Sequence, residues 1–359
     1  MNRIGHQDYI KSINRALVLE TIRNDQPVSR AELARTLGLS RSTVSSVVDE
    51  LLAKRFVMEL GLGDSTNEGG RRGMKLAFNA KSAFGIGVDI KESGMLLMIT
   101  DLDGNVTYEK KTTPTNKVAY VIEHIQTFIQ ECGINEDLFI GLSVAVPSVV
   151  ENTKDIVVDA PSLGWFNLNL KKELAAYFSI PIYINNDVDC SALGERWLGN
   201  GAQTDNMFYM SIDAGIGGSI IANGQLIQGS HYSAGEVGYF IDKEDTVHFE
   251  PPIAGQYGPF ERKLIPLIKE FQETGIPSKA LTLNLSIAIT NLVNLLNPEK
   301  IIIGGVEGPS LAPIVETLEQ NVRRFSPIQS KIEIACLGER AQALGALWYL
   351  FERIVFSPL

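Results

Sequence analysis

Cysteine is scarce: Cys132, Cys190 and Cys336 lie far apart in 359 residues, so neither a disulfide framework nor a CxxC zinc pair is expected. No uninterrupted apolar run approaches the ~18 to 20 residues that a membrane-spanning helix needs, which argues against a membrane protein. The segment MNRIGHQDYIKSINR lacks an apolar h-region, against secretion and in favour of a cytoplasmic location. What remains is an ordinary globular composition, 45% hydrophobic and 21% charged. The length allows two or three domains at roughly 100 to 200 residues each.

An overall basic excess is also missing, since the net charge is -10. It is unevenly spread. Residues 1–80 carry 12 Lys and Arg against 9 Asp and Glu, while the remainder carries 20 against 33. A mildly basic head on an acidic body suits a DNA-reading module fused to a small-molecule domain.

In the head, Ile13, Leu17 and Val18 predict one face of a helix that fades near Asn24 to Pro27. Ser29 followed by Glu32 has the spacing of a capping box opening a second helix, with Leu33, Ala34 and Leu37 inward and Gly38 as its stop. Ser40 then caps a third helix. Val44, Val47, Val48 and Leu51 should face the core, leaving Arg41, Ser42, Thr43, Ser45 and Ser46 outside. That polar end can enter a major groove, where Arg41 reaches guanine or phosphate and the hydroxyls meet backbone or base edges. This is a helix-turn-helix. The Gly-rich stretch 61–73 ends in Arg71 and Arg72, which suit a wing reaching phosphate or the minor groove.

From about residue 82, FGIGVDIKESGMLLMITDLDG predicts a β-hairpin turning near Lys91 to Gly94. MFYMSIDAGIGGSIIANGQLI repeats strand, Gly-rich turn and strand. Between them, IPIYINNDVDCSALGERWLG runs a strand into a helix through Asn185, Asn186 and Asp187. Two hairpin-led halves predict a duplicated α/β fold with a cleft between them.

The ordered motifs GGRR, GVDI, VAVPS, NNDVDCSALGE, DAGIGGS, SAGEVGY and NPEKIIIGG resemble the ROK family (repressors, open reading frames and sugar kinases), in particular its xylose-repressor-like branch. The resemblance implies a winged helix-turn-helix over residues 1–80. Residues 81–359 would then form a two-lobed, actin-like or hexokinase-type ATPase fold that binds sugar and dimerises. It further implies that Asp187 stands at the kinase base, Asn186 at a sugar-hydroxyl ligand, and Glu236 and Glu261 at two sugar-binding glutamates. Ser162 and Tyr239 fall at further sugar contacts, and Trp165 either stacks on a pyranose or closes the cleft.

The same resemblance marks departures. Lys91 and Glu92 replace two glycines of the first phosphate turn, and Asp213 and Ala214 replace a glycine and a threonine of the second, adding bulk and negative charge where ATP would lie. Gly215, Gly217 and Gly218 persist. At the family's zinc ligands stand Tyr239, Pro252, Ala254 and Pro259, which offer neither thiolate nor imidazole. His231 and His248 read as ordinary polar residues, so no metal and no cofactor are expected. The expected function is a non-enzymatic repressor of carbohydrate genes, dimeric on a palindromic operator and controlled by a monosaccharide or sugar derivative. An active sugar kinase carrying a DNA-binding head is the alternative.

Overall fold

The computed structural model describes residues 3–62, 73–151, 154–213, 215–246, 257–305 and 311–356. Helix α1 (Arg3–Asp25) buries Val18, Leu19 and Ile22 and leaves Leu17 41% exposed. Its inward face is therefore rotated from the predicted one, because Leu19 and Ile22 continue the i, i+1, i+4 row that begins at Val18.

Strand β1 (Val28–Ser29) runs into α2 (Arg30–Leu37). The capping box forms: Ser29 Oγ accepts the Glu32 N–H at 3.3 Å and Glu32 Oε2 accepts the Ser29 N–H at 2.6 Å. Gly38 ends the helix at φ 65, a left-handed conformation that glycine adopts without a Cβ penalty. Helix α3 (Arg41–Ala53) starts behind Ser40, whose Oγ accepts the Thr43 N–H at 3.1 Å, and it buries Val44, Val47, Val48 and Leu51. Strands β2 (Val57–Leu62) and β3 (Met74–Phe78) pair antiparallel, with β1 on the other edge of β3. Three helices and this small sheet make a winged helix. Arg71 and Arg72, which the sequence places in a wing, lie outside the described residues.

The body continues with β4 (Phe84–Lys91), β5 (Gly94–Asp101), β6 (Val106–Thr112), α4 (Val118–Glu131) and β7 (Phe139–Val146). A small sheet of β8 (Val149–Glu151), β9 (Ile156–Ala160) and β10 (Trp165–Leu168) precedes α5 (Leu170–Ala175), β11 (Ile182–Asn186) and α6 (Asp187–Leu198). The second lobe holds β12 (Met207–Ile212), β13 (Ile216–Ala222), β14 (Gln225–Ile227), α7 (Pro259–Thr274) and α8 (Lys279–Leu296). It is completed by β15 (Lys300–Gly304), α9 (Ala312–Phe325) and β16 (Lys331–Ile334), after which α10 (Ala341–Phe351) returns to the first lobe.

The large sheets run β11-β7-β4-β5-β6 and β14-β13-β12-β15-β16. In each, an antiparallel three-strand meander is extended beyond its first strand by two parallel strands. The lobes thus repeat one topology, as the repeated hairpin motifs predict. Helix α8 has the length and hydropathy to cross a membrane, yet Leu281, Leu285, Ile289 and Val293 pack one of its faces into the second lobe.

Head and body share a core. Val18, Leu19, Ile22 and Phe78 belong to the same buried cluster as Leu96, Met98, Leu347 and Phe351. Within the body, α6 and α10 touch backbone to backbone: a Cβ on Gly345 would lie 1.6 Å from the Cys190 carbonyl oxygen. Only glycine permits that approach.

Candidate functional site

The exposed end of α3 is built around hydroxyls. Ser40 Oγ lies 2.8 Å from both Ser42 Oγ and Thr43 Oγ1, so the N-cap also organises the first turn. Arg41, Ser42 and Ser46 are exposed, whereas Thr43 and Ser45 are half-buried. The sequence reading placed all five outside. Thr43 and Ser45 are partly covered because they flank the inward Val44, and Arg30 of α2 reaches the Ser45 carbonyl. Arg30 was missed: it donates to the Ser45 carbonyl at 3.3 Å and pairs with Asp49 at 2.8 Å, bracing α2 against α3. Lys75 fixes the sheet to α2 through Glu32 at 2.7 Å.

Between the lobes lies a cleft of about 710 Å³. One wall is the β4–β5 turn with Lys91 and Glu92, and the opposite wall is the β12–β13 turn with Asp213 and Gly215. Asp187, the first residue of α6, lines it together with Asn186, Ser162, Glu236 and Glu261. Five of the six predicted sugar contacts therefore converge. Tyr239 is the exception: it is 43% exposed and lines a neighbouring groove with Phe240 and Ile241, because it ends a short 3-10 turn that carries it past Glu236.

Three of the five already make hydrogen bonds: Asp187 Oδ1 accepts the Val188 N–H at 2.9 Å, and Asn186 and Glu261 are held by more than one. Asn186 caps α6, its Oδ1 accepting from the Val188 and Asp189 N–H groups at 2.8 and 2.9 Å, while Nδ2 donates to the Ser148 carbonyl at 3.0 Å. Glu261 accepts the Ile216 N–H at 2.6 Å and the Gly258 N–H at 2.8 Å, tying β13 to the start of α7. Trp165 is 6% exposed and donates from Nε1 to the Asn116 carbonyl at 2.6 Å. It closes the first lobe's core and offers no face to a pyranose.

The end of the cleft at the β4–β5 turn is an ionic cluster. Asp89, 2% exposed within β4, pairs with the Lys91 ammonium at 3.3 Å. Burial opposes the Lys91 charge, but Asp89, then Asp213 and Asp187, outweigh it and raise its proton affinity. Burial raises the Asp89 carboxyl to about 6 against the pull of Lys91. Burial, followed by the charge of Asp89, lifts Asp187 to about 7, opposed by the Val188 N–H and Lys91. Burial and then Glu261 likewise raise Glu236. Lys91 thus supplies the counter-charge to converging carboxylates. Asp89 was missed as a site residue, although a lone carboxylate in an apolar strand was the available signal. Asp189 was missed too; it accepts from Ser219 Oγ at 2.7 Å and joins α6 to the second lobe.

At the resemblance's zinc positions, Tyr239 ends the 3-10 turn and Pro259 occupies the first position of α7, a place that tolerates a missing N–H. Neither fits a zinc ligand. Pro252, Ala254 and His248 lie outside the described residues, and Ala214 does as well. Among the described residues no group of His, Cys, Asp and Glu is arranged to hold a metal ion.

Comparison with known proteins agrees with both halves. The MarR family matches residues 12–60 and the ROK family residues 85–252. The xylose repressor of Caldicellulosiruptor bescii is 27% identical over 99% of each chain. The xylose repressor of Bacillus subtilis is 29% identical over 95% of this chain and 96% of the relative. Among solved structures, a ROK family transcriptional regulator described as a homolog of the E. coli MLC protein has a TM-score of 0.78 at 23% identity. The match covers 95% of this chain and 96% of that one, and it establishes the shared fold.

Proposed function

We propose that this chain, which belongs to the ROK family, is a DNA-binding transcriptional repressor of sugar-metabolism genes, controlled by a sugar in the cleft. The carrying observation is a capped recognition helix with Arg41, Ser42 and Ser46 exposed, joined by a common core to a two-lobed cleft. Full-length similarity to xylose repressors supports it and makes D-xylose the first sugar to test. Residues 1–80 serve as the DNA-binding domain and 81–359 as the sugar-binding and dimerising domain. Arg41, Ser42, Thr43, Ser45, Ser46, Arg71 and Arg72 meet DNA. Asp187 and Glu236 offer carboxylates to a monosaccharide's hydroxyls, with Ser162 beside them and Asn186 and Glu261 holding the walls.

One recognition helix per chain calls for two chains on a palindromic operator, so the working unit is a homodimer in the cytoplasm. No cofactor enters this reading. The kinase reading draws support from Asp187, whose carboxyl at about 7 suits a general base. Against it stands the Lys91–Asp89 pair, which puts a side-chain ammonium where a phosphate turn needs open backbone.

A labelled duplex selected by the protein from random sequence, titrated with and without D-xylose and other monosaccharides, tests the repressor reading. Sugar-dependent weakening or strengthening of DNA binding without ATP turnover supports it. Sugar-dependent ATP turnover that disappears in Asp187→Asn would establish the kinase instead.

A further inference from the structure

Helix α6 runs from the cleft toward the side of the body that meets the head. Asp187 opens α6 at the cleft, and Trp197 stands near its far end, roughly 15 Å along the axis at 1.5 Å per residue. There the Trp197 ring lies 5.3 Å from Trp348 and 5.9 Å, edge-on, from Phe351. Trp348 stacks on Phe356 at 5.6 Å. Over these rings sits a side chain from the head: the Arg23 guanidinium is 4.9 Å from the centroid of Phe356, 5.9 Å from Trp348 and 5.8 Å from Phe78. Its Nε donates to Asp103 Oδ1 at 2.8 Å, in the β5–β6 turn of the body.

We propose that α6 transmits cleft occupancy to the head, and that the clasp formed by Arg23 with Asp103 and the Trp197–Trp348–Phe356 cluster is where the head receives it. This rests on the repressor reading and adds its regulatory connection. The rod is stiff for a stated reason. Gly345 and Gly194 let α10 and α6 meet at their backbones, where a Cβ would stand 1.6 Å from the Cys190 carbonyl oxygen and 2.3 Å from that of Ala341. The pair therefore moves together rather than sliding. Helix α10 runs directly into the π-helical turn Glu352–Phe356, which presents Phe356 to Arg23. A ligand that draws on Asp187 shifts the start of this body, and its far end displaces the rings that hold the head.

The cluster also has a reason to possess a second arrangement. Among the described residues the buried indole N–H groups of Trp197 and Trp348 meet no acceptor, and an alternative packing that supplies one recovers their desolvation cost. A close-packed cluster with two arrangements switches rather than yields continuously. The planar guanidinium suits the clasp because it stacks on rings while keeping its donors for Asp103.

The test uses the full chain and the sugar of a D-xylose, D-glucose and N-acetylglucosamine panel that most raises its melting temperature. The readout is the ratio of DNA Kd with sugar to that without, which ordinary coupling places at about 5- to 150-fold. In Arg23→Ala that ratio should fall toward 1, while sugar binding to the DNA-free protein is kept within about twofold. Arg23→Lys, which retains the charge but not the stacking, should lie between. Asp103→Asn, at a partly exposed turn, should reduce the ratio even where Arg23→Ala folds poorly. Tryptophan fluorescence of the unaltered protein should change on adding sugar. An undiminished ratio in Arg23→Ala or Asp103→Asn overturns the clasp and leaves the repressor reading standing. A wild-type ratio of 1 with every sugar removes that reading and the clasp together.

Discussion

Asp187→Asn should stabilise the protein at neutral and alkaline pH while weakening its response to sugar. In the folded chain, burial and then the neighbouring Asp89 raise this carboxyl from 3.8 to about 7. Between those values the folded state retains a proton that the unfolded chain has released. Stability contributed at this site therefore falls as pH rises through the window, is fully present below about 4, and reaches its minimum above about 7. The displacement corresponds to about 4 kcal/mol at most. Asp187 borders an open cleft whose water screens the charge, so about 1 to 2 kcal/mol is expected. Asparagine keeps the shape and can accept the Val188 N–H, now at 2.9 Å, but carries no charge to desolvate. Urea unfolding of both proteins from pH 4 to 8.5 measures the effect. The midpoints should coincide near pH 4, diverge up to about pH 7 and run parallel above it. A variant less stable at pH 8, or a gap indifferent to pH, would refute the assignment of a buried, destabilising charge.

Arg41→Ala should cost roughly 1 to 3 kcal/mol of operator affinity and relax specificity at one base pair, read by anisotropy across base-substituted duplexes; unchanged affinity means the recognition surface is misplaced. Replacing Arg71 and Arg72 together by Ala should instead flatten the salt dependence of binding across all sequences, and an unaltered slope removes the wing from the interface. Gly345→Ala should destabilise by about 3 kcal/mol through overpacking, because its methyl meets the Cys190 carbonyl; a urea midpoint within error of wild type contradicts the close helix contact. Metal analysis of purified, tag-free protein should find no zinc, given Tyr239 and Pro259 at two of the four ligand positions, whereas one zinc per chain would overturn that alignment.

Much of the head's fold was legible because its signals are local. A capping box, a glycine stop and a row of inward valines each act within four residues, so Ser29, Glu32, Gly38 and Ser40 announce the helix-turn-helix without knowledge of the fold. Tyr239 and Trp165 were harder to place. Both are aromatic residues in segments that resemble sugar contacts, and their orientation depends on a 3-10 turn and on a hydrogen bond to Asn116, a partner 49 positions away.

The amino-acid order by itself determined the head's helices, the repeated hairpins and the residue types at both turns of the cleft, since backbone propensity and side-chain period are short-range properties. Only the tertiary structure decided which polar atoms remain available. Asn186 and Glu261 are engaged by backbone groups, Lys91 answers the carboxylates gathered from three separate segments, and Arg23 lies over rings more than 300 positions away in the chain. Such assignments require distant segments to meet, because hydrogen bonding, desolvation and charge pairing depend on distance in space, which sequence separation does not record.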